Sequence, residues 1–169
     1  MHADSALASD KEGSELNSSL STSRPIPVQV DKCLLDGQPE ELLTLFRLYN
    51  QSRDRGEICG NGKRRTAPAL AWNCSLAKAA KKHAKDMSGN DFLSHRGSDG
   101  SDIGLRASRD GYQWTYISEN VAKGHESANG VYRNWLGSSA HCSNIMSQNY
   151  TEIGAAKESL YWVVMLGQQ

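Results

Sequence analysis

The clearest pattern along the chain is helical. From Pro39 to Arg53, the residues Leu42, Leu43, Leu45, Phe46, Leu48 and Tyr49 fall at helical spacing, with Pro39 and two glutamates in the first turn. From Ser75 to Ser88, the residues Leu76, Ala79, Ala80, His83, Ala84 and Met87 recur at i, i+3 and i+4, and Asn73 stands where a capping side chain belongs. Glu126 to Leu136 reads as a further helix on Val131, Trp135 and Leu136; Gly137-Ser138-Ser139 breaks it, and Ala140 to Met146 forms one or two more turns. Ile103 to Asp110 fits a short helix ended by Gly111. Strand character marks Ala69 to Asn73 and Tyr116 to Ala122. A terminal hairpin is expected from Ile153–Ala156 and Leu160–Leu166, turned by Lys157-Glu158-Ser159. Arg96 to Asp102 and Gly56 to Thr66 are loops. This order predicts an α+β domain with helices covering an antiparallel sheet.

Composition narrows the setting. The chain has 169 residues, no formal net charge and a pI near 7.0, so no global field favours nucleic acid or an anionic membrane. Mean hydropathy is −0.60, and no apolar run approaches the roughly 18 residues of a spanning helix. Neither a nucleic-acid partner nor a membrane span is expected, and the domain is expected as a monomer. Residues 1–31 are rich in Ser, Asp and Glu and nearly free of aromatic and branched apolar residues, a composition that cannot offset its ordering entropy by burial. They read as a flexible tail and linker, with the globular domain over 32–169. The run Lys63-Arg64-Arg65 is expected as a solvated loop rather than a phosphate patch. Cys33, Cys59, Cys74 and Cys142 form no C-x-x-C pair, which argues against a zinc ribbon or a redox motif. Their even number and wide spacing fit two disulfides in an oxidising compartment; four reduced, buried thiols are the other reading. No apolar segment of signal-peptide type follows Met1, so an exported form is expected to have lost its signal.

The candidate chemistry centres on His95. Phe92 and Leu93 suit burial, Ser94 and His95 turn the chain polar, and a loop follows. A histidine at such a seam is well placed to face a cleft. Ser118-Glu119-Asn120 and the stretch from Ser138 to Ile145, which carries His141, look like its companions. Two neutral imidazoles and one carboxylate are a common ligand set for zinc; without a metal, Glu119 can orient and charge one histidine as an acid–base pair. A polar cluster with no chemistry is the plain alternative. His83 lies on an apolar stripe and reads as a packed histidine; His125 reads as solvated. Ser94, Ser118, Ser138 and Ser139 adjoin these residues as hydrogen-bonding neighbours. Cys142 follows His141 directly, but consecutive side chains point apart, so a Cys–His nucleophile is set aside in favour of a disulfide.

From Pro68 to Gly167 the chain resembles the bacterial branch of the CAP superfamily, the SCP-like or PR-1-like extracellular domains. The resemblance is carried by Leu70-Ala71-Trp72-Asn73 before the helix Leu76 to Met87, Phe92-Leu93-Ser94-His95 with its Gly-Ser-Asp-Gly loop, and Ser118-Glu119-Asn120-Val121. Trp135-Leu136, the run from Ser138 to Met146, Tyr150 to Gly154, and Tyr161-Trp162 complete it. It implies a three-layer α-β-α sandwich with a central antiparallel sheet and an open cleft. It also implies that His95, Glu119 and His141 line that cleft, flanked by Ser94 and Ser138. The second glutamate of eukaryotic members has no counterpart near Gly137-Ser138, and Glu152 is not expected to face the cleft. Pairings Cys59–Cys142 and Cys33–Cys74 are expected, the latter between cysteines that precede helices packed in one layer. Two functions follow as expectations. The first is a secreted or periplasmic binding module holding a divalent ion, zinc first, and a small-molecule, lipid, glycan or protein ligand. The second is a metal-assisted, peptidase-like hydrolase with His95 and His141 as ligands and Glu119 as general base. Binding is favoured over catalysis, because no H-E-x-x-H or other dedicated hydrolase motif is present.

Overall fold

The computed structural model describes residue 33, residues 38–63 and residues 65–169; the expected N-terminal tail lies outside them. Helix α1 (Glu40–Arg55) buries Leu42, Leu45, Phe46 and Tyr49 on one face. Strand β1 (Ala71–Trp72) leads into α2 (Cys74–Asn90), whose first turn is closed by Asn73: its side chain accepts from the backbone N–H of Ser75 and Leu76. Asp102 caps α3 (Ile103–Arg109) by accepting from Leu105 N–H. Strand β2 (Tyr116–Lys123) follows. Helix α4 (Ala128–Gly137) starts two residues later than its apolar pattern predicts, because Ser127 caps it through Gly130 N–H. Helix α5 (Ser139–Met146), β3 (Glu152–Glu158) and β4 (Tyr161–Gln168) complete the domain.

The sheet runs β1-β3-β4-β2. It is antiparallel except that the two residues of β1 pair parallel with β3. The terminal hairpin is as expected but its turn is tighter: Lys157 and Glu158 stay in β3, and Ser159-Leu160 makes the reversal with Ser159 at φ 52. Lys157 is held in the ladder by facing Trp162, with its ammonium 4.6 Å from the indole centroid.

Strand β4 shows how the layers are built. Its side chains alternate between faces. Trp162, Val164 and Leu166 pack with residues of α1, α4 and α5. Tyr161, Val163 and Met165 pack with residues of α2 and with Ala107 of α3. Helices therefore cover both faces of the sheet, as the α-β-α expectation requires. On β3, Gly154 sits so close to α2 that an added Cβ would lie 2.1 Å from Ala77 N. Arg53, fully buried on α1, donates to the carbonyls of Pro68, Ile145, Ser147 and Tyr150 at 2.6–2.9 Å. It thereby ties the segment before β1 and the α5–β3 connection to α1. Burial pushes its guanidinium down to about 10.

Both expected disulfides are present, Cys33–Cys74 and Cys59–Cys142. The reasoning for the first needs correction. Helices α1 and α2 lie in opposite layers, so Cys33–Cys74 links the approaches to two layers rather than two neighbours in one.

Candidate functional site

Strand β2 is an edge of the sheet, and the site is assembled along it. Glu119 and Asn120 are consecutive, both buried, and so point to opposite faces. Glu119 shares its face with Val121, toward α2 and α3. Asn120 shares its face with Ala122, toward α1 and α5.

On the first face, the Glu119 carboxylate has no exposed surface and is bonded by two groups, with a third nearby. His95 Nδ1 lies 2.9 Å from Oε1. Arg106 Nη2 donates to Oε2 at 2.8 Å, and its Nη1 donates to the Ser101 carbonyl at 3.0 Å. His83 Nε2 stands 3.9 Å from Oε1 and 2.8 Å from the Ser94 carbonyl. A carboxylate beside His95 Nδ1 fixes the proton there and leaves Nε2 as the outward-facing acceptor of an exposed ring. The Glu119 hydrogen bond raises the His95 pKa above its ordinary value, against partial burial.

On the second face, Asn120 Nδ2 donates to Tyr49 Oη at 3.1 Å and to the His141 carbonyl at 3.3 Å. Asn144 Nδ2 donates to Asn120 Oδ1 at 2.9 Å and to the Glu119 carbonyl at 3.4 Å. These bonds pin α5 against β2 and so fix where His141 stands. Its ring packs at 6.4 Å from Trp135, and its Nδ1 is buried without a partner. Burial lowers the His141 pKa, and the neighbouring His95 charge lowers it further. The two imidazoles thus titrate in opposite directions: His95 is biased toward the charged form and His141 toward the neutral one.

Of the sequence candidates, His95 and Glu119 are in contact, and His141 comes to the same strand edge from the opposite layer. Ser94 contributes its carbonyl to His83 and its hydroxyl to Arg96 N–H. Ser138 precedes α5 and its carbonyl accepts from Cys142 N–H. Ser118 Oγ is buried with no partner. Glu152 bonds Asn73 and Tyr112, away from these groups as expected. His125 is half-buried rather than solvated, and its carbonyl accepts from Trp162 Nε1. Lys63 and Arg65 are exposed, as expected. Three contributors escaped the sequence reading. Arg106 stood in an unremarkable short helix, and Asn120 and Asn144 looked like ordinary members of polar motifs. A charged residue on the inner side of an amphipathic helix was the one available sign for Arg106.

As to a metal, among the described residues no three His, Cys, Asp or Glu side chains are grouped closely enough to hold one. The geometry explains why. Glu119 spends both oxygens on His95 and Arg106, and would have to surrender one to become a direct ligand. Only the two imidazoles remain as donors.

Residues 46–163 match the family model of the cysteine-rich secretory protein family, CAP. The chain belongs to the CAP family. The uncharacterized protein YkwD of Bacillus subtilis (strain 168) is 31% identical over 81 residues, covering 47% of this chain and 31% of that protein. The chain thus spans about a third of the length of the curated relatives it matches. Among solved structures, an extracellular SCP-domain protein of Bacillus anthracis superposes with TM-score 0.67 at 25% identity, over 77% of this chain and 41% of that one. An outer surface protein of Borrelia burgdorferi superposes with TM-score 0.64 at 20% identity, over 79% and 96% of the two chains. The first of these two proteins is described as extracellular and the second as an outer surface protein. Two disulfides join the described cysteines here, and no helix among the described residues is long and apolar enough to cross a membrane.

Proposed function

We propose that this CAP domain is a secreted binding module whose cleft is built on His95 and His141. In this reading the cleft takes a divalent ion, zinc first, together with a small lipidic, glycan or protein ligand. The observation that carries the reading is the His95–Glu119 contact at 2.9 Å. A carboxylate behind an imidazole orients the ring and raises its basicity, which is the supporting role such groups take behind a ligating histidine. Glu119 fits that role; it does not fit as a third ligand. Arg106 holds the carboxylate in place, and the Asn120–Asn144 bonds fix α5 and with it His141. Zinc held by two imidazoles keeps positions open for a ligand oxygen. A hydrolase with Glu119 as general base is less well supported. A base must reach the proton it abstracts, and this carboxylate has no exposed surface.

Calorimetric titration of zinc into chelator-treated protein tests the reading. Modest affinity is expected, lost in His95→Ala and in His141→Ala. Glu119→Gln should weaken it by roughly tenfold, as supporting carboxylates do. Protons compete for the same nitrogens. Because Glu119 raises His95, that ring should be the first to be protonated as pH falls toward about 6.5. Undiminished zinc binding in the His95→Ala/His141→Ala double variant would sink the proposal.

A further inference from the structure

The chain has no net charge, but its charges are not evenly spread. Between Ala77 and Met87 of α2 every exposed position is a lysine: Lys78, Lys81, Lys82 and Lys85. At 3.6 residues per turn these four fall within an arc of about 100° and span about 10 Å along the axis. They form one stripe on the outer face of the helix, opposite the buried Leu76, Ala80, His83 and Met87.

Helix stability does not account for the stripe. Lys78–Lys82 and Lys81–Lys85 are like-charge pairs at i,i+4, which disfavour a helix. Cations are favoured in a last turn, and the last turn of α2 has none. Asp86, the one acid on the helix, is turned to Ser98 and Asn90 rather than to Lys82. Asp110 receives Lys82 at 2.5 Å and Lys78 at 3.5 Å, but its own side chain is 2% exposed, so the face presents ammonium groups. Lys81 and Lys85 have no ion-pair partner among the described residues. The surroundings narrow what such a face would bind. A bilayer-bound helix joins a basic face to apolar anchors, and none of the exposed large apolar side chains lies on α2. Single-stranded nucleic acid is held by aromatic stacking beside charge, and the exposed aromatics, Trp114 and Tyr116, stand outside α2. A flexible phosphate chain asks only for point charges in a row, which lysine ammonium groups supply.

We propose that the outer face of α2 is a docking stripe for a linear, phosphate-bearing polyanion, held by Lys78, Lys81, Lys82 and Lys85. The stripe includes neither His95 nor His141 and needs no cation there.

Fluorescence anisotropy of labelled inorganic polyphosphate with the full chain tests this, in chelator so that no metal bridges the two. Binding is expected to weaken steeply with salt. Three or four contacts that release counterions as on a single strand give a log–log slope of about −2 to −3. Lys81→Gln/Lys85→Gln removes the two unpaired charges. It should weaken binding by roughly tenfold or more at low salt and flatten the slope by about 1.4. Its melting temperature should be unchanged or raised, because two like-charge pairs are relieved. Lys81→Arg/Lys85→Arg keeps the charge and should keep the binding. Lys63→Gln/Arg65→Gln removes as much charge from an exposed loop elsewhere and should change affinity far less. An equal loss in that loop variant would mean that net charge alone is read, and would overturn the proposal. So would no binding to polyphosphate, or binding unchanged in Lys81→Gln/Lys85→Gln. Tighter binding to phosphatidylglycerol vesicles or to single-stranded DNA, at matched phosphate concentration, would overturn it as well.

Discussion

His83 shows how a single buried side chain links the fold to pH. It is 1% exposed, and desolvation lowers its pKa despite the nearby Glu119 charge. A histidine depressed in the folded state binds fewer protons there than in the unfolded chain. Its contribution is therefore intact above the unfolded value of about 6.5 and is lost as pH falls from there toward the folded value. His141 carries the same sign through burial. His95 carries the opposite one: raised by Glu119, it contributes most below about 6.5 and loses that contribution as pH rises through its folded value. Comparing wild type with His83→Gln isolates the first effect, since glutamine can still donate to the Ser94 carbonyl but does not titrate. Urea unfolding at pH 7.5, 6.5 and 5.5 should show wild type losing more stability on acidification than the variant. Identical pH responses would mean that His83 is not held neutral. The helical stripe from Leu76 to Met87 was enough to bury this ring from sequence. Its bond to Ser94 depends on where the chain returns after α2, and no local pattern encodes that.

At the level of elements, what sequence patterns disclosed was period, and what they withheld was contact between periods. Helix α2 was legible because its apolar residues repeat at 3.6 and Asn73 caps it. The inward alternation of β4 was harder to read, because a strand covered on both faces is apolar throughout, as Tyr161 to Leu166 is. The tight turn at Ser159 was missed because Lys157 and Glu158 look like turn residues, while cross-strand contact with Trp162 keeps them in register. The site followed the same rule. His95, Glu119 and His141 were visible as motif residues, whereas Arg106 acquires its role only when α3 packs beside β2. Strand β3 lies close against α2 where Gly154 admits the helix backbone. Gly154→Ala should cost about 3 kcal/mol or somewhat more, at the top of the usual range for overpacking, because the atoms in the way are backbone and cannot swing aside. Chemical denaturation measures this directly. A loss under about 1 kcal/mol, the low end of that range, would show that α2 slides off the sheet easily.

For the molecule as a whole, the sheet separates two apolar clusters, and the disulfides decide how firmly the outer pieces stay attached. Cys59–Cys142 joins the loop after α1 to α5 across 83 residues, and Cys33–Cys74 joins the approaches to α1 and α2 across 41. In the chain-entropy model a constraint over such spans contributes about 4–5 kcal/mol at most, with the longer loop favoured only slightly because the dependence is logarithmic. Location separates the two bonds more than loop length does. Cys142 is 1% exposed and follows His141 on a helix that Asn120 and Asn144 also hold. Arg53 further anchors the end of α5 through the Ile145 and Ser147 carbonyls. Paired replacement Cys59→Ser/Cys142→Ser should therefore lower global stability by about 2–4 kcal/mol, yet leave α5 docked against β2. Hydrogen exchange of the α5 amides, measured beside the unfolding free energy, separates the two effects. If α5 exchanges at the rate of free peptide while the sheet stays protected, the disulfide rather than the polar network holds His141 in place.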